Sequence, residues 1–441
     1  MQDGLFRAVI RNAGYLVSGK LVGAALGLIA LACAGRGLGP AWFGTLMIVH
    51  LYATGVGALA KFQTWQFIIR NGTPALQRGE AHVVRDTIRF STGLDLSSGL
   101  IGMAGAMLLL PLLYHWLGLP AAALVPALLY CTLVPTMTAA TPTGTLRMFD
   151  RFDQIAQQQA VTPALRAAGA ALSYFTHAGF GAFVVCWYIA DLVGDLVLWG
   201  LAARELRRRD MLDAFRPGLF GVARRLPGAW GFVWTTNIAH SLYAAWGPLS
   251  NLVVASALGP AAAGLFKIAA TLVDSTSKPA DLLGRGFYPE IMRLDPASRD
   301  PWRLGLRLAL LSAGAGVGLV MLVMLGGTPV IGALFGHRYA AASGLLQIMA
   351  WSVVISTAAF PLESLLYMVG RQRAALVAQA CATLAYIPML DWITRRNGLA
   401  GAGYAVLIGT ALNAGLMLLP TVQSYLGRHS YRLPIRMGLA A

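Results

Sequence analysis

The chain has 441 residues, 57% of them hydrophobic and only 12% charged, against roughly 45–50% and about 25% in a soluble globular protein. Its 34 Lys and Arg outnumber 18 Asp and Glu, for a formal net charge of +16. A soluble fold is excluded. Because the arginines fall between alternate pairs of apolar stretches, the charge reads as loops facing anionic headgroups, and no nucleic-acid partner is expected.

Apolar runs of about 20 residues, long enough to cross a hydrocarbon core ~30 Å thick, follow one another at 13–34, 42–61, 91–113, 120–143, 161–177, 180–203, 229–256, 262–288, 305–335, 340–369, 374–393 and 399–426. In lipid each backbone amide must be bonded within its own segment, and runs without strand-like alternation can do so only as helices. The expected fold is an all-α polytopic membrane protein of about twelve transmembrane helices.

The first run follows a basic start and ends in Ala32-Cys33-Ala34, the outline of a signal peptide with a small-residue cleavage site. Lys20 interrupts it and the residues after 34 belong to an internal repeat, so retention is expected. Span four is weakened by Pro126, Pro135 and Pro142, and span five is short, with Arg166 near its start. Pro248, Pro279, Pro361 and Pro388 interrupt later spans and suggest kinks or hinges. Gly23 to Gly27 and Gly314-x-Gly316-x-Gly318 suggest close helix packing. Cys33, Cys131, Cys186 and Cys381 all lie in spans without a Cys-x-x-Cys pattern and read as small packing residues.

Orientation follows from the arginines. Twenty-six fall at the two ends and in alternate loops, Arg166 counted among them, and only Arg36, Arg338, Arg395 and Arg396 fall in the opposite loops. Both termini are therefore expected in the cytoplasm. The four lysines lie within or at the edges of spans.

LGPAWFG at 38–44 returns as LGPAAAG at 258–264, an offset of 220 residues in a chain of 441. Each copy sits at the short turn after the first span of a six-span half, where Pro stops the incoming helix and Gly permits reversal. Six spans per half is an even number, so the halves share one orientation as parallel repeats. The expected division is a six-helix bundle over 1–203, a cytoplasmic connection over 204–228 with a surface-lying helix, a second bundle over 229–426 and a basic tail over 427–441.

Span eight carries Lys267, Thr271, Asp274, Lys278, Asp281 and Arg285 at spacings of 4, 3, 4, 3 and 4, one face of a helix. An Asp or Lys at a helix centre costs about 2.5–3.5 kcal/mol facing lipid, so this stripe must face protein or water. Two readings stand: a self-neutralising ladder against a neighbouring helix, or the lining of a hydrated cavity. Lys20, Asp95, His240 and Glu363 are further polar residues at depth, and Lys20 and His240 match across the 220-residue offset. For His240 alone, packing and ligand contact are equally open. Asp191 and Asp195 form an i, i+4 pair in span six, suited to a coupling ion unless an arginine or backbone group neutralises it. There is no phosphate-binding loop, His/Cys cluster or Ser/His/Asp spacing, and no sizeable outer loop for catalytic acids, so a transporter is expected rather than an enzyme of envelope glycan assembly.

GRGLGPAWFGTL, ASALGPAAAGLFKIAATL, FYPEIMRL and LFGHRYAAASGLLQIMAW, spread along essentially the whole chain, resemble the polysaccharide transporter family, the O-antigen and exopolysaccharide flippases of the multidrug/oligosaccharidyl-lipid/polysaccharide (MOP) superfamily. The resemblance implies a V-shaped protein of two six-helix bundles around a central cavity in the bacterial inner membrane. By alternating access it would move an undecaprenyl-diphosphate-linked oligosaccharide to the outer leaflet, ahead of polysaccharide polymerase machinery. It implies a cationic lumen, matched here by Lys20, Lys267, Lys278, His240 and Arg285. Asp95, Asp274, Asp281 and Glu363 depart from that pattern and bring the lumen nearer neutrality, which suits H+ or Na+ coupling and no other cofactor. The alternative is cation-coupled export of drugs, as in the multidrug branch of the superfamily.

Overall fold

The computed structural model describes residues 2–292 and 294–427, with side chains described from 21 onward except at 238–239, 242–243, 245 and 276–290. Among the described residues the chain is helical throughout and has no β-strand. Helix α1 (Gln2–Ala60) holds the first two expected spans on either side of Gly39, whose φ of 71° breaks it. Helix α2 (Thr64–Gln77) is a short amphipathic helix on the 62–90 connection, and α3 (Ala81–Leu113) is the third span.

The fourth span is broken into α4 (Leu124–Cys131), α5 (Val134–Met137) and α6 (Thr141–Met148), bent by 47°. The prolines that weaken it in sequence have a local role: Pro135 and Pro142 stand in the first turns of α5 and α6, where a missing N–H costs nothing. The fifth and sixth spans are α7 (Phe152–Phe175) and α8 (Phe180–Arg207). Arg166, counted above with the loops, lies well inside α7, which starts nine residues before the expected span because its first two turns are polar.

The connection departs from expectation. In place of one surface helix, it forms a 3-10 turn at Leu212–Phe215 and a single-turn α9 (Phe220–Ala223), separated by Pro217-Gly218. Gly218 N–H donates to the Arg89 carbonyl at 3.0 Å, and a Cβ on Gly93 would lie 2.7 Å from the Gly218 carbonyl oxygen, so the connection lies directly on α3. Val222, Ala223 and Leu226 then bury against Phe67, Phe90 and Leu94. Arginines fasten the same end: Arg89 pairs with Asp213, Arg225 with Asp86 at 3.2 Å, and Arg151 with Glu205 at 3.1 Å. The Arg151 hydrogen bond also holds the Asp153 carboxyl below the usual carboxylate range.

The remaining spans are α10 (Ala229–Leu258), α11 (Pro260–Ile291), α12 (Asp300–Phe335), α13 (Ala341–Met368) and α14 (Gln372–Leu426), the last broken at Gly398 with φ 62°. Pro248, Pro361 and Pro388 sit inside continuous helices. Six helices are long and apolar enough to cross a membrane among the described residues, and the bent pair at span four, taken as one span, makes a seventh. Two of the six, at 40 and 55 residues, are the double spans of α1 and α14. Largely exposed Leu112, Leu325 and Phe175, costly in water, are the lipid-facing surface of such a protein.

Packing divides the chain into Met1–Gly264 and Leu265–Ala441. In the first unit α1 packs along α7 and α10, so the seventh span groups by contact with the first six. The contact boundary falls in the first turns of α11 rather than at 204–228. Within this unit the two LGPA turns meet. Gly39 and Gly259 take matching conformations, φ 71° with ψ 171° and φ 86° with ψ 176°. A Cβ on Gly44 would fall 1.7 Å from the Pro260 carbonyl oxygen, so only glycine permits this crossing. In the second unit α12 packs on α13 and α13 on α14. Of the glycine triplet, Gly316 lies in a crossing, its Cβ position 2.8 Å from Thr357 Oγ1, whereas Gly314 and Gly318 face open space.

Candidate functional site: a buried polar cluster in the first unit

The break in span four leaves backbone N–H groups at the start of α6 without helical acceptors. Asp95 of α3 supplies one: its Oδ2 accepts from Ala140 N, Thr141 N and Thr141 Oγ1, each at 2.7 Å. Its Oδ1 accepts from Thr64 Oγ1 at 2.9 Å, and the residue is 1% exposed. Asp95 is thus a buried anchor for the broken helix, with both oxygens occupied. Its surroundings are α2, α3 and α6.

Asp191 of α8 is also engaged. Arg166 of α7 pairs with its Oδ1, and the Tyr130 hydroxyl of α4 donates to its Oδ2. His50 Nδ1 of α1 lies 3.0 Å from that hydroxyl and 3.6 Å from Asp191 Oδ2. Four helices are tied by this group, and Asp191 is 5% exposed. A buried carboxylate held by a guanidinium and a phenol is compensated in place.

Asp195, one turn further along α8, differs. Its Oδ2 is buried and has no hydrogen-bond partner among the described residues, with the Thr136 hydroxyl alongside. Lys61, at the end of span two, is drawn electrostatically to both Asp95 and Asp195, and its ammonium points at the Met137 carbonyl, 3.5 Å away, in the broken span. His240 of α10 lies exposed within electrostatic reach of Lys61. Ser241, its neighbour, donates to the Leu59 carbonyl at 3.4 Å, which fixes that stretch of α10 beside the end of α1.

Lys61 therefore lies within electrostatic range of Asp95, Asp195 and His240, while Asp191, one turn from Asp195, is held by its own partners. Sequence reasoning missed Lys61, Arg166, Tyr130 and His50. Lys61 carried a signal, a lone lysine between Ala60 and Phe62 at a span end. Tyr130 and His50 carried none, because their role depends on which helices meet.

The other expected residues lie elsewhere. Lys267 is half-buried and Asp274 exposed on α11, in the second unit. Glu363 is exposed on α13 and accepts a hydrogen bond from Tyr367 Oη at 2.7 Å. The side chains of Lys20, Lys278, Asp281 and Arg285 lie outside the described residues, although the helix carrying the span-eight stripe runs unbroken from Pro260 to Ile291.

This all-helical architecture is shared with solved structures, among them transporters of the MOP superfamily. The chain aligns with a multidrug resistance MATE family transporter of that superfamily at a TM-score of 0.69 and 15% identity, covering 94% of this chain and 98% of the other. It aligns equally well with the lipid II flippase MurJ, at a TM-score of 0.67 and 13% identity over 93% of this chain and 89% of MurJ. The Vibrio cholerae MATE transporter VcmN follows at 0.57 and 16% identity, covering 97% and 98%. No family model matches. The chain belongs to the family of the Escherichia coli (strain K12) inner membrane protein YghQ, to which it is 49% identical over 344 residues, 78% of this chain and 97% of that protein. It is accordingly a multi-pass inner membrane protein.

Proposed function

We propose that this chain is a transporter that flips an undecaprenyl-diphosphate-linked oligosaccharide, an O-antigen or exopolysaccharide repeat unit, across the bacterial inner membrane by alternating access. The observation that carries the reading is a fold shared with a lipid II flippase over 93% of the chain, in a protein whose apolar spans retain Lys20, Lys267 and Lys278. Charges at such depth are costly and mark substrate or ion pathways. In this reading those lysines, with His240 and Arg285, meet the diphosphate or an acidic sugar. Asp274, Asp281 and Glu363 set their geometry, and polymerisation follows on the far side. Both termini lie in the cytoplasm, and 204–228 is the cytoplasmic connection between the sixth and seventh spans.

Asp195 is the coupling carboxylate. Asp191 and Asp95 already have their charge matched by Arg166 and by four donors, whereas Asp195, within electrostatic range of Lys61, keeps an oxygen without a donor among the described residues. A proton or Na+ taken up there competes with Lys61 for the same carboxylate and shifts the helices that carry them. The second reading, cation-coupled drug export, is favoured by the equal likeness to MATE transporters.

The test is a cell whose own copy is deleted, complemented with the wild type or with Lys278→Ala. The proposal expects surface polysaccharide to be lost on deletion and strongly reduced in the variant at normal protein level. Normal display with new drug sensitivity would favour the exporter.

A further inference from the structure

The second unit contains a cavity of about 710 Å3 between α12, α13 and α14, within the roughly 300–1,000 Å3 typical of ligand sites. Its wall is apolar: Leu306 and Ala309 of α12, Ala358 and Leu362 of α13, and Gly415 and Leu418 of α14. Ala309, Ala358 and Gly415 project little side-chain volume and leave the space between the helices unfilled. Leu306, Leu418 and Val422 are 61%, 49% and 45% exposed, so the cavity is a groove open to the side.

One end of the groove is chemically distinct. Trp302 and Tyr425 meet there edge to face with ring centroids 5.5 Å apart, and Trp302 Nε1 donates to the Pro296 carbonyl at 3.1 Å. Aromatic residues with a satisfied polar edge mark the headgroup level of a bilayer. Arg303 stands beside them on the groove wall, exposed and with no carboxylate at ion-pair distance among the described residues. Exposed Arg299, Arg307, Arg371 and Arg373 belong to the same ends of α12 and α14. From Tyr425 to Ala414 the lining of α14 rises about 16 Å at 1.5 Å per residue, close to half of a hydrocarbon core ~30 Å thick. The groove is one leaflet deep.

We propose that this groove binds one acyl chain of an anionic bilayer phospholipid, with its phosphate at Arg303. Depth favours a phospholipid over a polyprenyl carrier, whose longer chain overruns a single leaflet. The positive end favours an anionic headgroup over a zwitterionic one. The site lies in the second unit, apart from the Lys61–Asp195 cluster, and the inference does not depend on which substrate is transported.

The experiment is native mass spectrometry of the full chain released from nanodiscs containing phosphatidylglycerol and phosphatidylcholine. The wild type retains phosphatidylglycerol preferentially. Arg303→Glu lowers that retention about tenfold and leaves phosphatidylcholine unchanged, and Ala358→Trp removes both by filling the groove. If Ala358→Trp does not fold, a benzophenone at Leu306 crosslinks phosphatidylglycerol in the wild type and fails to do so with Arg303→Glu. Unchanged retention or crosslinking in the variants means annular lipid only and overturns the proposal. Displacement of phosphatidylglycerol by an equal amount of undecaprenyl phosphate overturns it in favour of a substrate-tail site.

Discussion

Two aspartates one turn apart on α8 have different surroundings, and the proposed function gives them different roles. Asp191 is bound by Arg166 and Tyr130, so Asp191→Asn leaves a guanidinium uncompensated among four packed helices. Breaking such a pair from one side costs about 3–5 kcal/mol, and the detergent-solubilised variant should melt well below the wild type. Asp195→Asn removes a carboxylate with a buried oxygen that no donor serves among the described residues. Its melting temperature should stay within a few degrees of the wild type while ion-driven transport is lost. Equal loss of stability in both variants would make Asp195 a structural residue. Asp95→Ala strips Ala140 N, Thr141 N and two threonine hydroxyls of their acceptor, at about 1–3 kcal/mol for each donor left buried. Poor membrane accumulation is the expected result, measured by fluorescence of a fused reporter, with partial rescue by Asp95→Asn, which keeps one carbonyl oxygen.

At the scale of helices, the LGPA turns are the feature most plainly written in the chain. Their recurrence at an offset of 220 residues foretells two matching reversals, and Gly39 and Gly259 make them with positive φ. That the two turns also touch was hidden, because it depends on Gly44 meeting Pro260 across most of the first unit. Gly44→Ala should cost about 1–3 kcal/mol through overpacking, whereas Gly314→Ala, facing open space, should be neutral. Comparable melting curves for the two would contradict the crossing. Span four shows the same limit of legibility. Its prolines warn of a break, yet the residue that makes the break tolerable, Asp95, lies 45 positions upstream of Ala140. The connection was misread as one helix for a local reason: Pro217-Gly218 ends any helix, and the apolar residues beyond it serve to bury on α3. Arg166 was counted with the loops because span five has a polar start. Hydropathy finds where a helix becomes apolar rather than where it begins.

For the whole molecule, the number of apolar runs and the alternation of arginines carry the architecture, because lipid permits so few ways to satisfy a backbone. A fold shared with both MATE transporters and a lipid II flippase at 13–16% identity suits the transport proposed above and does not choose the cargo. Reporter fusions should place residue 2 and residue 427 on the same, cytoplasmic side; opposite sides would remove the parallel repeat. The cargo itself is settled by reconstitution. Purified protein in liposomes loaded with a fluorescent undecaprenyl-diphosphate oligosaccharide, under an imposed H+ or Na+ gradient, should move the lipid between leaflets, and Asp195→Asn should abolish the gradient dependence. No movement of the lipid-linked sugar under either gradient, with uptake of a lipophilic cation in the same vesicles, would contradict the flippase account.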